Sequence, residues 1–213
     1  MEILRATGGI AQTNSWLIAD EKAKQAVLFD APNDTVTPLL DECVKRGWDL
    51  VGLWFTHGHF DHIADHAVVT ARFPKCQVLL HQLDEDKLTG RYPSLYPLPF
   101  TIPPRKPDAY VQEGQKLRIG AINVEVMHLP GHAAGHVVYF MPRENVLVGG
   151  DMIIQGGIGR TDLPDSNNSQ MRKSLKRLMN LPEETTLLPG HGSPSTLLRE
   201  LHSNTMVQEA LEG

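Results

Sequence analysis

Hydrophobic positions along this chain follow two rhythms, short apolar runs and stripes at helical spacing, and the two alternate. Ser15–Ala19 and Ala26–Asp30 are apolar runs on either side of a polar turn, which predicts two strands. Val36, Leu39, Leu40, Cys43 and Val44 then recur on one helical face. Asn33 or Asp34 is the candidate cap, Pro38 falls in the first turn, and Gly47 stands where a C-terminal cap belongs. Leu50–Thr56 is apolar enough for a buried strand. Ile63, Ala67, Val68 and Ala71 predict a helix from about His62.

The pattern breaks between Tyr92 and Pro107. Pro93, Pro97, Pro99, Pro103, Pro104 and Pro107 leave no room for a helix or a central strand. Two readings of this extended loop stand: a packed cover over a sheet edge, or a wall of the functional site. Beyond it the alternation resumes, with strands expected at Lys116–Ile119, Ile122–His128, His136–Met141 and Asn145–Gly149. Ser169–Met179 predicts a helix with Met171, Leu175, Leu178 and Met179 inward and Arg172, Lys173, Lys176 and Arg177 outward. Thr185–Leu188 is a short strand, and a final helix starts near Ser195. A two-half α/β architecture is implied.

Composition narrows the class. The 213 residues suit one domain over 1–213, and 41% apolar with 21% charged residues is ordinary for a globular protein. A net charge of −5 with no basic block gives no nucleic-acid footprint. Cys43 and Cys76 alone make no disulfide framework and read as core residues, so a reducing, cytoplasmic setting is expected. No signal peptide or membrane-length apolar run is visible.

The histidines change the picture. In Thr56-His57-Gly58-His59-Phe60-Asp61-His62 a strand gives way to a helix. His57 and His59 alternate as extended residues do, so both can face one point, and Asp61 and His62 follow from the turn. Imidazoles and a carboxylate are donors that zinc, iron and manganese accept. His132 follows the strand Ile122–His128, Asp151 follows Val146–Val148 and two glycines, and His191 follows Thr185–Leu188. These groups fall past strand C-terminal ends, where α/β architectures assemble sites. Of the other histidines, His66 reads as a surface or supporting residue, His81 and His128 as structural, and His202 as exposed. His136 is either structural or orients a ligand through a hydrogen bond. Arg160-Thr161-Asp162 either braces a loop through an ion pair or offers Arg160 to a substrate carboxylate.

Thr-His-x-His-x-Asp-His, Pro-Gly-His, Gly-Gly-Asp and Pro-Gly-His-Gly, in that order, resemble the metallo-β-lactamase superfamily over roughly Thr13 to Thr196. The stretch Gly150-Asp151-Met152 through Gly157-Ile158-Gly159-Arg160-Thr161-Asp162-Leu163-Pro164 looks most like the glyoxalase II (hydroxyacylglutathione hydrolase) branch. The resemblance implies an αββα sandwich with two divalent transition-metal ions, zinc foremost, with iron and manganese as alternatives. His57, His59 and His132 would hold one metal, Asp61, His62 and His191 the other, and Asp151 would bridge them. A metal-bound hydroxide would then attack a small-molecule thioester such as S-lactoylglutathione, with Asp61 as ligand and catalytic group. True β-lactamases usually place a cysteine among the second-metal ligands, and Asp61-His62 stands there instead. Only 22 residues follow His191, so the helical domain of glyoxalase II proper is expected to be absent and the chain resembles the short bacterial hydrolases. Persulfide dioxygenases, which hold one iron, are the alternative, with His57, His132 and Asp151 as ligands. Hydrolysis of another ester or a lactone is a further one.

Overall fold

The computed structural model describes residues 1–92 and 97–212. The first half builds a six-stranded sheet from β1 (Glu2–Gly8), β2 (Thr13–Asp20), β3 (Gln25–Phe29), β4 (Asp49–Trp54), β5 (Gln77–His81) and β6 (Ala109–Val111), in that spatial order. The hairpins β1–β2 and β2–β3 are antiparallel. β3, β4, β5 and β6 run parallel. Their crossovers carry α1 (Thr37–Arg46), α2 (Phe60–Ile63), α3 (His66–Arg72) and α4 (Glu85–Leu88). The second sheet uses β7 (Lys116–Ile119), β8 (Ile122–His128), β9 (Val137–Met141) and β10 (Val146–Gly150). After the small hairpin β11 (Ile153–Ile154)–β12 (Gly157–Ile158) it adds β13 (Thr186–Pro189) and β14 (Ser195–Thr196). Its spatial order is β14-β13-β10-β9-β8-β7. Helices α5 (Asn168–Leu178), α6 (Leu197–Ser203) and α7 (Thr205–Glu212) complete the chain.

Strand periodicity explains why these sheets stack with helices on both outsides. In β2, Trp16 and Ile18 enter one core while Leu17 and Ala19 enter another. In β9, Val137, Tyr139 and Met141 join the same central core, and Val138 and Phe140 join a third. Strands apolar on both faces must be covered on both faces. The central core therefore lies between the sheets, and each outer core lies between a sheet and its helices. This is the expected αββα order. Phe29 packs edge-on against Trp54 and Tyr139 in the centre, with Phe29 and Tyr139 centroids 5.1 Å apart, and the Tyr139 hydroxyl donates to Phe55 O at 2.9 Å.

Local expectations fare unevenly. Gly47 caps α1 in the left-handed conformation, with φ 64°. The helix starts later than expected, after Val36 and without a side-chain cap, and Val44 is 59% exposed at the edge of the stripe. The helix expected from His62 is broken at Ala64–Asp65, where Asp65 N–H donates to Ala31 O and its carboxylate accepts from Thr35 N–H. That break rotates the apolar face, so α3 buries His66 and Val69 and leaves Val68 exposed. α5 buries Met171, Leu175 and Leu178, with Asn167 capping it through Gln170 N–H. Residues 97–107 of the proline-rich segment form neither helix nor strand; Pro93 lies outside the described residues. Cys43 and Cys76 are free thiols in the first outer core, and burial pushes them to about 11 and about 12, so both are inert. No helix among the described residues is long and apolar enough to cross a membrane.

Candidate metal centre

All seven expected donors meet at one edge of the sandwich. His57 and His59 leave the end of β4, and Asp61 and His62 lie on the short α2. His132 comes from the β8–β9 loop, Asp151 from just past β10, and His191 from just past β13. Both sheets thus contribute through their strand ends. Gly150, at φ 49°, turns the chain so that Asp151 points inward; a Cβ there would lie 2.6 Å from His136 Nε2. At Gly190 a Cβ would collide with the Asp151 carboxylate, so only glycine lets β13 pass the site.

The donors sort into two groups. Ligating atoms of His57, His59 and His132 lie within 4.8 Å of one another, as do those of Asp61, His62 and His191. Asp151 reaches both groups: its Oδ2 is 3.4 Å from His132 Nε2 and 3.3 Å from His191 Nε2, and its Oδ1 is 3.4 Å from His62 Nε2. His59 Nδ1 and His132 Nε2 are 2.9 Å apart. His57 Nε2, His62 Nε2 and Asp151 Oδ1 are buried without a hydrogen-bond partner. Native proteins rarely leave such atoms unsatisfied. Mixed nitrogen and oxygen donors converging on shared points fit divalent transition metals.

Surrounding bonds aim the free ring nitrogens at those points. Asp30, buried at φ 59°, accepts from Thr56 N–H and the Thr56 hydroxyl, each at 2.8 Å, and from His62 Nδ1 at 2.8 Å. The Thr56 oxygen, its proton given to Asp30, can accept from His57 Nδ1 at 3.1 Å. His132 Nδ1 donates to Arg160 O at 2.9 Å. Each arrangement leaves Nε2 as the lone-pair donor. His59 reverses the pattern, with Nε2 3.4 Å from Asp165 and Nδ1 inward. Lys87 Nζ joins Asp165 at 2.7 Å to Asp84 at 2.6 Å, and Asp84 in turn accepts from Gly58 and Gly135 N–H.

Electrostatics agree with a cation site. Burial holds His57 well below its ordinary pKa, helped by neighbouring His62, so it stays in its neutral, ligand form. Burial also opposes charge on His62 and His191, but the carboxylates outweigh it: Asp61 and Asp151 push His62 well up, and Asp151 and Asp61 raise His191 to about 10. Burial alone would raise Asp61 and Asp151; the attraction of His62 overrides it and holds both below the usual carboxylate range. Concentrated carboxylate charge recruits positive charge, which metal ions supply.

Among the remaining candidates, His136 is fully buried and its Nε2 accepts from Asp151 N–H at 3.0 Å, which is the orienting alternative. His66 is no surface residue: 2% exposed, it ties the proline-rich loop down through Nε2 to Pro103 O at 2.8 Å. His81 and His128 stack with centroids 4.1 Å apart. Arg160 pairs with Asp162 through Nε–Oδ1 at 2.8 Å and a second nitrogen at 2.9 Å, as a brace would. The supporting group Thr13, Asp30, Asp84, Lys87 and Asp165 escapes a reading of the sequence, because each member is distant in the chain from the donor it serves. Thr13 Oγ1, for example, donates to Asp61 Oδ2 at 2.7 Å across 48 residues.

An αββα sandwich with seven nitrogen and oxygen donors at one edge defines a metal-dependent hydrolase class. The model of the metallo-β-lactamase superfamily matches residues 8–191, and the chain belongs to that superfamily. It is 31% identical to the hydroxyacylglutathione hydrolase GloC of Haemophilus influenzae, over 91% of this chain and 92% of that protein. The structure of BLEG-1 B3 metallo-β-lactamase superposes with TM-score 0.82 at 29% identity, covering 96% of this chain and 99% of that one. TTHA1623 in a di-iron-bound form gives 0.81 at 33%, over 94% and 98%. ETHE1 from Myxococcus xanthus gives 0.78 at 26%, over 98% and 85%.

Proposed function

We propose that the chain hydrolyses a small-molecule thioester with two divalent metals, zinc foremost, held by His57, His59, His132 and by Asp61, His62, His191, with Asp151 shared. The observation that carries this reading is the second donor group, Asp61–His62–His191, aimed at Asp151 as closely as the first. When bound, such metals acidify water and polarise a carbonyl. The chain's own part is to hold the reacting groups in register. Asp61 is fixed by Thr13 Oγ1 at 2.7 Å and lies on the cleft lining, placed to orient the nucleophile and take its proton. Likeness to GloC supports thioester chemistry, and no nucleic-acid partner is part of the proposal. With both cysteines as buried free thiols, cytoplasmic residence belongs to the same proposal.

The likeness to ETHE1 favours a second reading, a persulfide dioxygenase using His57, His132 and Asp151 around one iron. Such a centre has no need of Asp61, His62 and His191, which is why hydrolysis ranks first. The test is iron-loaded protein with glutathione persulfide in an oxygen electrode, beside a thioester assay on zinc-, iron- and manganese-loaded protein. Thioester cleavage without oxygen uptake is expected. Rapid uptake with negligible cleavage would sink the hydrolase reading.

A further inference from the structure

His59, Asp61, His132, Asp151 and His191 form the floor of a cleft of about 810 Å³, within the range of small-molecule sites, with His57 and His62 buried among the donors. Its walls are built differently. Ile10, Phe60, Leu98, Phe100, Ile102 and Leu163 line it. Among the described residues only Ile102 of these six packs against one of the three hydrophobic cores. Ile10 is 59% exposed at the edge. Apolar side chains gathered at one opening without serving a core call for an apolar ligand.

Charge on the walls points the same way. Lys87 and Arg160 are the lysine and arginine on the described lining. Lys87 is neutralised by Asp84 and Asp165, and Arg160 is engaged by Asp162. Pro97, Leu98, Phe100, Thr101 and Ile102 on the same lining bring no cation. A ligand such as glutathione brings two carboxylates, which need cations not already spent on carboxylates of the protein.

We propose, on the basis of the thioester reading above, that this cleft selects an uncharged apolar acyl group longer than acetyl or lactoyl, and that the identity of the thiol matters little. The acyl carbonyl lies at the donor floor and the chain runs along Phe60, Leu98 and Phe100. Burying one methylene strengthens binding roughly fourfold at full desolvation. The expected slope is shallower, because the cleft is open on one side.

Two measurements on the metal-loaded full chain test this. The first is calorimetric binding of acetate, butyrate, hexanoate and octanoate, which needs no turnover. Affinity should rise at least tenfold across the series, and Phe100→Ala should flatten the rise. Ile10→Ser, at an exposed position with little folding risk, should reduce it as well. A flat series, or a rise that neither substitution touches, overturns the proposal. The second is the kcat/KM of acetyl, lactoyl and octanoyl esters of glutathione and of N-acetylcysteamine. Octanoyl should be cleaved fastest with either thiol. Cleavage favouring the short acyl groups, or favouring glutathione beyond a hundredfold, overturns the proposal and leaves the thioester reading standing. A rising affinity series with no thioester cleaved supports the apolar acyl site and removes the thioester reading.

Discussion

The floor and the wall of the cleft are held by different means. His57 and His62 beneath the floor and Asp151 on it are buried, and each is fixed by a bond of about 3 Å to a buried side chain: Thr56, Asp30 and His136. Those supports belong to strand ends of both sheets. The wall over 97–107 has no regular structure, and among the described residues its tethers include Arg105 N–H to Leu88 O at 2.9 Å and His66 to Pro103 O, both near its C-terminal end. Orientation-critical donors therefore sit where backbone geometry is over-determined, and the surface that meets the rest of a substrate sits where sequence can change cheaply. In these terms the reaction class is written in the floor and the choice of substrate in the wall.

The comparison breaks most visibly at the shared carboxylate. Asp151→Ala removes the carboxylate that reaches both donor sets. Metal analysis should find fewer than two ions per chain, and kcat/KM should fall by more than the roughly tenfold to hundredfold that loss of a supporting partner causes. Two tightly held metals in that variant would mean the donor sets are independent.

Asp61→Asn should come next. Turnover is expected to drop on the order of a hundredfold to ten-thousandfold while KM changes by a few-fold, since the carboxylate acts in the chemical step. Steady-state kinetics at saturating metal checks this. Near-normal turnover with both metals present would assign Asp61 a purely structural place.

A smaller effect belongs to Asp30→Asn. Asparagine tolerates the positive φ of 59°, so the backbone should hold. One of its two polar atoms is a donor, however, and the site presents three donors: Thr56 N–H, the Thr56 hydroxyl and His62 Nδ1. Metal affinity measured by competition with a chelator should weaken about tenfold to a hundredfold. Unchanged affinity would remove Asp30 from the support of the floor.

How far the sequence reaches follows the same division. The seven donors are legible because motif and strand end coincide: a carboxylate or imidazole beside glycines past an apolar run has few packing explanations. The layers follow from β9 and the Trp16–Ala19 run of β2, which are apolar on both faces and so need cover on both. β1 escapes notice because its half-exposed pattern carries no apolar run, and β6 because it is a three-residue edge strand. The face of α3 is misread because Asp65 interrupts the helix to satisfy Ala31 and Thr35, a tertiary demand with no periodic signature. Asp30 and Asp165 look like ordinary loop acids; only the fold brings them to His62 and His59.

The wall supplies the smallest expected effect, and the one that separates the two regions most cleanly. Leu98 is half-buried on the cleft lining and packs into none of the three cores among the described residues. Truncating it creates no cavity inside a core, so the cavity cost that makes core deletions expensive does not arise. Leu98→Ala should change unfolding free energy by less than about 1 kcal/mol, and bound metal should stay as in the parent protein. Denaturant titration and metal analysis on the same preparation read both quantities. A loss of several kcal/mol would place this segment in the cooperative core, and a loss of metal would show that wall and floor are mechanically joined. In either case the division of labour between them would be wrong, and substitutions along 97–107 could not be expected to alter substrate choice without disturbing the site itself.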